Sequence, residues 1–261
     1  MKFIDQLGRS FILDHTPQRI VCLVPSLSEL LVDLGLEKKL VGITKFCVHP
    51  ESLRKEKTIV GGTKTVHFDR ISALEPDIIL CNKEENTREI VDKCANIAAT
   101  HVSNIKTLED FHTLLEHYGK LFNITQKTDL LSFKIKQKAA DFSNFEKFHS
   151  RLKVFYLIWK KPYMAVGKDT FINHLLELNG FKNLALDLKG RYPEIDIEQL
   201  KEADLIMLSS EPFPFKEKHI EQLSTYTKAK ILLVDGEYFS WYGSRLLSAF
   251  DYFKKLQDQI S

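Results

Sequence analysis

The 261-residue sequence predicts an α/β protein made of two similar lobes with parallel sheets and a long helix in the middle of the chain. Three observations lead there. Short apolar runs alternate with amphipathic stretches from residue 19 to residue 102, the pattern of strand–helix–strand units that build a parallel sheet. From 107 to about 149 there is no strand signal. The alternation then starts afresh at Lys153.

Arg19–Val24 (RIVCLV) is an apolar run that suits a buried strand and breaks at Pro25. Ser26-Leu27-Ser28-Glu29 matches a capping box, in which the serine oxygen accepts from an early helix N–H and the glutamate reaches back. Leu27, Leu30, Leu31 and Leu34 share one face of the helix that follows, and Gly35 stops it. Leu40–Thr44 is the next strand. Asp69–Leu74 is a short helix broken by Pro76, Asp77–Cys81 a strand, Arg88–Ala95 a helix and Ala98–Val102 a further strand.

Thr107-x-x-Asp110 can cap a helix with Leu108, Phe111, Leu114, Leu115, Tyr118 and Leu121 on its apolar side. A second helix starts near Thr125 and carries Leu130, Leu131, Ile135, Ala139, Phe142 and Phe145. With no Gly or Pro to interrupt it, a helix over 125–148 extends roughly 36 Å at about 1.5 Å per residue. It can cross between domains or pack along one of them; periodicity alone leaves both open. Beyond it, Lys153–Trp159, Asp204–Leu208 and Lys230–Val234 read as strands. Asp169 or Thr170 caps a helix ending at Gly180, and Ser244–Leu256 is a final helix. SELLVDLGL is echoed by TFINHLLELNGF, and ALEPDIIL by LKEADLIML, which suits two lobes of one kind. The division expected is an N-terminal lobe over 1–123, a connecting helix over 124–149 and a C-terminal lobe over 150–261.

The 37 basic and 35 acidic residues nearly cancel, so the chain lacks the basic excess of a nucleic-acid binder. Lys216, Lys218 and His219 are diluted by Glu217 and Glu221 and read as a solvated helix face. Four scattered cysteines include no CxxC pair, and Cys22 and Cys81 read as small core residues. The first ten residues hold no apolar leader segment, no lipobox cysteine follows one, and no apolar run is long enough to span a bilayer. As written, the chain is expected to be soluble and cytoplasmic, or periplasmic if a leader has been removed.

Signatures of catalysis are missing: GxSxG, Walker A, GxGxxG and HExxH do not occur. Gly61-Gly62-Thr63-Lys64-Thr65 is either a plain turn or a loop whose backbone can approach a ligand closely. His112 and His117 fall on different helix faces. His49 and His67 lie in loops after a strand or glycine turn, where α/β folds place ligands and where a metal could be met. Trp159, Tyr163, Tyr192, Phe213, Phe215, Tyr238, Phe239, Trp241 and Tyr242 fall in expected loops and suggest a wall for a large apolar or planar ligand, or else ordinary loop packing.

Taken in order, RIVCLVPSLSELLVDLGL, VGITKFCVHP, GG…FDRISALEPDIIL, VGKDTFINHLLELNGFKNL, RYPEIDIEQL and WYGSRL resemble the helical-backbone metal-receptor family, the substrate-binding proteins of ABC importers for vitamin B12, siderophores and haem. Similarity is greatest to the vitamin B12 binders and runs from about residue 17 to the end. The resemblance implies two Rossmann-like lobes joined by one long helix, with a corrinoid, siderophore or haem held in the cleft between them. It implies ligand contacts from Phe46, Asn82, Tyr163 or Met164, Tyr192 and Arg245, with Gly62 and Thr63 in the adjoining glycine loop. Two family tryptophans are replaced near Thr63 and at Asn82; Trp159 and Trp241 would compensate from other loops. It also implies permease docking through Asp69 and Glu198. No intrinsic cofactor and no catalysis are expected, and the chain would act as a monomer. Two alternatives stand beside this: a cytoplasmic corrinoid or chelate carrier or sensor, and an enzyme drawing on Cys47, His49 and Glu211.

Overall fold

The computed structural model describes residues 1–146 and 151–260. It divides into two units, Met1–Lys134 with Tyr242–Ser244, and Ile135–Trp241 with Arg245–Ser261.

Unit 1 begins with an antiparallel ribbon of β1 (Lys2–Ile4) and β2 (Ser10–Ile12). There follow β3 (Ile20–Cys22), α1 (Pro25–Asp33), β4 (Leu40–Ile43), α2 (Leu53–Glu56), β5 (Thr58–Ile59), α3 (Phe68–Ala73), β6 (Ile78–Asn82), α4 (Arg88–Ala95) and β7 (Ala99–Ser103). Their five strands form a parallel sheet in the order β5-β4-β3-β6-β7. Every residue of β3 and β6 is buried, as expected of central strands covered on both faces. Val21, Leu23, Ile79, Cys81 and Val102 pack with Ile71 of α3 and Ile90, Val91 and Cys94 of α4 into one core.

The helix after β3 starts differently from the expectation. Its N-cap is Val24, with no side-chain cap, and Pro25 opens the helix. Proline suits that position, having no N–H to leave unpaired. Ser26 therefore lies inside the first turn, and Ser28 Oγ donates back to the Val24 carbonyl at 3.1 Å. At α5 (Leu108–Phe122) the expected box is present: Thr107 Oγ1 accepts from Asp110 N, and Asp110 Oδ2 from Thr107 N, each at 3.1 Å. Leu108, Phe111, Leu114, Leu115, Tyr118 and Leu121 are all buried.

A single helix, α6 (Thr125–Glu146), contributes to both units, its residues as far as Lys134 in unit 1 and those from Ile135 in unit 2. Its expected last turn, at 147–148, lies outside the described residues. Leu131, Ile135 and Phe142 are buried, but Leu130, expected on the same stripe, is 54% exposed.

Unit 2 contains β8 (Lys153–Trp159), β9 (Met164–Ala165), α7 (Phe171–Leu178), β10 (Lys182–Asn183), β11 (Leu205–Ser209), α8 (Glu217–Leu223), β12 (Lys230–Val234), α9 (Gly236–Ser240) and α10 (Leu246–Ile260). Its sheet runs β10-β8-β11-β12 with parallel pairing, and β9 folds back antiparallel onto β8. Of the two caps proposed for α7, Thr170 does the work, its hydroxyl accepting from Asn173 N at 3.1 Å. Phe142 of α6 packs on Phe250 and Phe253 of α10, each at 5.9 Å between ring centres. The presumed solvated face on α8 is only partly so: His219 is buried, 5.5 and 5.4 Å from the rings of Phe213 and Phe215.

Candidate functional site

In unit 1, the chain leaving β4 meets the glycine turn. Lys45 N donates to the Gly61 carbonyl at 2.8 Å, and Gly62 N to the Thr65 carbonyl at 2.7 Å. Gly61 has φ +120°, and a Cβ there would stand 2.4 Å from the Thr65 carbonyl oxygen, so no side chain fits. Gly62 is confined in another way. A Cβ on it would approach the Phe46 ring edge at 3.1 Å. Phe46 lies against this turn and is 49% exposed, an unusual state for a phenylalanine. Lys45 sits 5.1 Å from its ring centre, leaving an aromatic surface with a cation at its rim.

The end of β6 joins the same network. Asn86 Nδ2 donates to the Thr63 carbonyl at 3.0 Å, and Asn86 Oδ1 accepts from Asn82 N at 2.9 Å. Asn82 itself is 2% exposed. Its Nδ2 donates to Ser103 O and Oγ at 3.1 and 3.0 Å, and its Oδ1 accepts from Glu84 N at 2.8 Å. Phe46, Gly62, Thr63 and Asn82 are thus brought together, with Phe46 the exposed member and Asn82 the brace beneath. Asn86 was missed by sequence reasoning; asparagines four apart at a strand end, both suited to capping turns, were the available signal.

His49 is half-buried, and His67 is exposed directly before α3, where Asp69 is exposed in the first turn. Among the described residues no three His, Cys, Asp or Glu side chains gather as a metal site. Cys47 is buried and engages Ser28 Oγ at 3.2 Å and Thr44 Oγ1 at 3.4 Å. Burial pushes its thiol pKa up, opposite to what an activated nucleophile requires.

In unit 2 a second grouping forms around the strand that the sequence did not disclose. Residues 163–167 run beside 191–195: Ala165 N donates to Pro193 O at 2.9 Å, Ile195 N to Tyr163 O at 2.9 Å, and Gly167 N to Arg191 O at 2.8 Å. Trp159 pairs with Met164 across β8 and β9. Trp159, Tyr163, Met164 and Tyr192 therefore belong to one ribbon. Trp159, 40% exposed, stands edge-on to Phe213 at 5.8 Å, and the Arg191 guanidinium lies 5.9 Å from the Tyr192 ring centre.

The wider aromatic wall is largely a packed interior. Phe215, Phe239, Trp241 and Tyr242 are buried, Phe239 completely. The reason is local: Tyr238 and Phe239 belong to α9, a helix where a loop was expected, and Phe239 packs on Phe253 at 4.8 Å. Arg245 is equally committed. It pairs with Glu237 at 3.2 Å and lies 5.2 Å from the Trp241 ring centre and 5.9 Å from that of Tyr238. Beside this cluster Glu211 accepts from Ser240 Oγ at 2.5 Å, and burial, with Glu237 and Asp235 near, raises its carboxyl pKa. Glu198 is exposed on the 3-10 turn Ile197–Glu202 and pairs with Lys201.

Each of the two α/β units carries loops at the carboxyl ends of its parallel strands, where α/β folds place ligands. The chain belongs to the periplasmic binding protein family, whose model matches residues 20–222. Among its relatives, a vitamin B12-binding protein of Pectobacterium atrosepticum is 23% identical over 243 residues, 89% of this chain and 86% of that one. An uncharacterised ABC transporter substrate-binding lipoprotein of Bacillus subtilis is 27% identical over 195 residues, 71% of this chain but only 61% of its own length. A periplasmic heme-binding protein from Pseudomonas aeruginosa shares the fold with a TM-score of 0.79, at 22% identity and with 92% of each chain covered. No helix among the described residues is long and apolar enough to cross a membrane.

Proposed function

We propose that this chain is the substrate-binding component of an ABC-type importer and that its cargo is a planar metal chelate, a corrinoid in the first instance and haem in the second. The observation that carries the reading is the family match from β3 to α8, read together with the vitamin B12-binding relative aligned over most of both chains. The residues add a chemical reason. Phe46 and Trp159 offer exposed aromatic surface, and a large conjugated or apolar ring system gains most from such faces. Tyr163, Met164 and Tyr192 would extend the second face, while Gly62 and Thr63 set Phe46.

In this reading Arg245 and Trp241 shape the wall from behind, because the arginine is already paired with Glu237. Asn82 likewise supports rather than touches the cargo. His49 and His67 are the side chains that could reach a metal. Residues 124–149 serve as the connecting backbone between lobes 1–123 and 150–261. The protein works outside the cytoplasmic membrane as a monomer, delivers its load to a permease through Asp69 and Glu198, and does not turn it over. Absorbance and calorimetric titrations with cobinamide, cobalamin and haemin test this. One-to-one binding at micromolar concentration is expected for at least one of them, weakened about tenfold by Phe46→Ala; no spectral or heat change with any would overturn the reading.

A further inference from the structure

Unit 1 contains a cavity that the transport reading does not use. It has a volume of about 250 Å³ and lies beneath the N-terminal ribbon, against β7 and α5, with none of its lining residues in the loops described above. By the same measure a single water needs about 10–15 Å³. Phe3 and Phe11, stacked at 5.7 Å, form its apolar roof together with Leu121. His101 and His117 meet edge to face at 5.9 Å in its wall, and Lys2 and Lys120 are both exposed at its rim.

The histidines are the unusual part. His101 is 1% exposed, yet neither ring nitrogen has a hydrogen-bond partner, and Nδ1 of His117 has none either. Buried polar atoms are ordinarily paired, so an orphan calls for an explanation, a bound water, ion or ligand among them. Desolvation holds the His101 pKa at about 3, so its ring is neutral at physiological pH, with one donor and one acceptor. The ribbon over the cavity is also tied to the rest of the unit. Asp5 Oδ2 accepts from Val102 N at 3.1 Å, and Gln6 bridges Asn104 N at 3.1 Å and the Asp110 carbonyl at 2.7 Å, so the ribbon is clamped to β7 and the start of α5.

We propose that this cavity binds a small organic carboxylate with an apolar body, its ring or branched chain under Phe3 and Phe11 and its carboxylate between the Lys2 and Lys120 ammonium groups and an imidazole N–H. The two charged residues that line it, Lys2 and Lys120, are basic and favour an anion over a metal cation, although Glu116 and Asp5 also act on His117, and the apolar roof selects against inorganic anions. None of the lining residues is among those assigned to the chelate, so the two bindings can be tested separately.

Phenylacetate is a suitable probe, with phenylacetamide as its uncharged counterpart, read by the histidine ring resonances of the full chain in NMR titration. Saturable shifts of the His101 and His117 signals with phenylacetate are expected, with affinity for the amide at least tenfold weaker. Lys2→Glu with Lys120→Glu alters only exposed residues and should weaken the acid at least tenfold, leaving chelate titration unchanged. His117→Leu, at a half-buried position, should weaken it several-fold. Absence of saturation at millimolar phenylacetate, equal affinity for acid and amide, or unaltered binding in the charge-reversed variant would each overturn the proposal. Failure of chelate binding in the wild-type chain would overturn only the transport reading.

Discussion

Asn82 illustrates how a residue aligned with a ligand contact can be doing a different task. Its amide spends both ends inside unit 1, donating to Ser103 and accepting from Glu84 N. Replacing it by Ala strands those partners, and a buried unsatisfied group costs about 1–3 kcal/mol. Asn82→Ala should therefore lower unfolding free energy by about 2–3 kcal/mol in urea denaturation; a loss under 0.5 kcal/mol would contradict the bracing role. His101 gives a second test. Its pKa drops from the ordinary 6.5 to about 3 because burial disfavours the imidazolium, with His117 adding repulsion. Stability from this residue is complete above pH 6.5 and is lost as pH falls toward 3, at up to about 1.4 kcal/mol per pH unit. Glu211, whose pKa is raised, acts in the opposite sense, losing stability as pH rises above its ordinary 4.5. Between pH 7 and pH 5 the wild type should lose about 2 kcal/mol more than His101→Phe; parallel pH curves for the two would refute the assignment. Of the expected site residues, Phe46 comes from the family resemblance alone, since its exposure beside the glycine turn is visible only in the fold. The engagement of Arg245 with Glu237, eight residues back across α9, leaves no pattern in the sequence either, since pairing depends on how α9 and α10 turn the chain.

At the level of elements, periodicity found what periodicity controls. Arg88–Ala95, Lys153–Trp159 and Lys230–Val234 have the expected bounds, each being a run long enough to show its repeat. Among the pieces that escaped notice are β5, β9 and β10, two residues each, too short for any alternation to register. Their existence is decided by neighbours: β9 pairs with β8 on one side and with the segment 193–195 on the other. Where α5 meets α6, propensity and packing oppose each other. Gly119 lies within α5, where alanine would ordinarily favour the helix by about 1 kcal/mol. A Cβ there, however, would stand 2.5 Å from Thr128 Oγ1 and 3.1 Å from the Thr125 Cα, which is backbone and cannot move aside cheaply. Overpacking of that kind costs about 1–3 kcal/mol, so Gly119→Ala should destabilise by about 1–2 kcal/mol in thermal or urea unfolding. A gain in stability would show that the two helices separate easily.

For the molecule as a whole, delivery and capture should be separable. Asp69 and Glu198 are exposed and lie on different units, away from Phe46 and Trp159 in the chain, and Glu198 pairs with the exposed Lys201. An exposed ion pair contributes about 0–1 kcal/mol, so neutralising either carboxylate should leave the fold intact. Asp69→Ala with Glu198→Ala is expected to reduce cargo uptake in cells at least tenfold while chelate affinity in vitro changes less than twofold. Unchanged uptake would remove both residues from the docking surface. The buried state of Cys22, Cys47, Cys81 and Cys94, none of them in a disulfide, has a practical consequence for this question. Burial lifts the thiol pKa at Cys22 to about 12 and raises it at Cys47, and at Cys81 a hydrogen bond with Cys94 together with burial raises it too, so the native chain should be nearly silent toward maleimide reagents. A cysteine added on each unit's surface would then accept a spin label or fluorophore without deleting any of the four. The separation of the two labels, recorded with and without cargo, would measure directly how far the molecule rearranges when it loads.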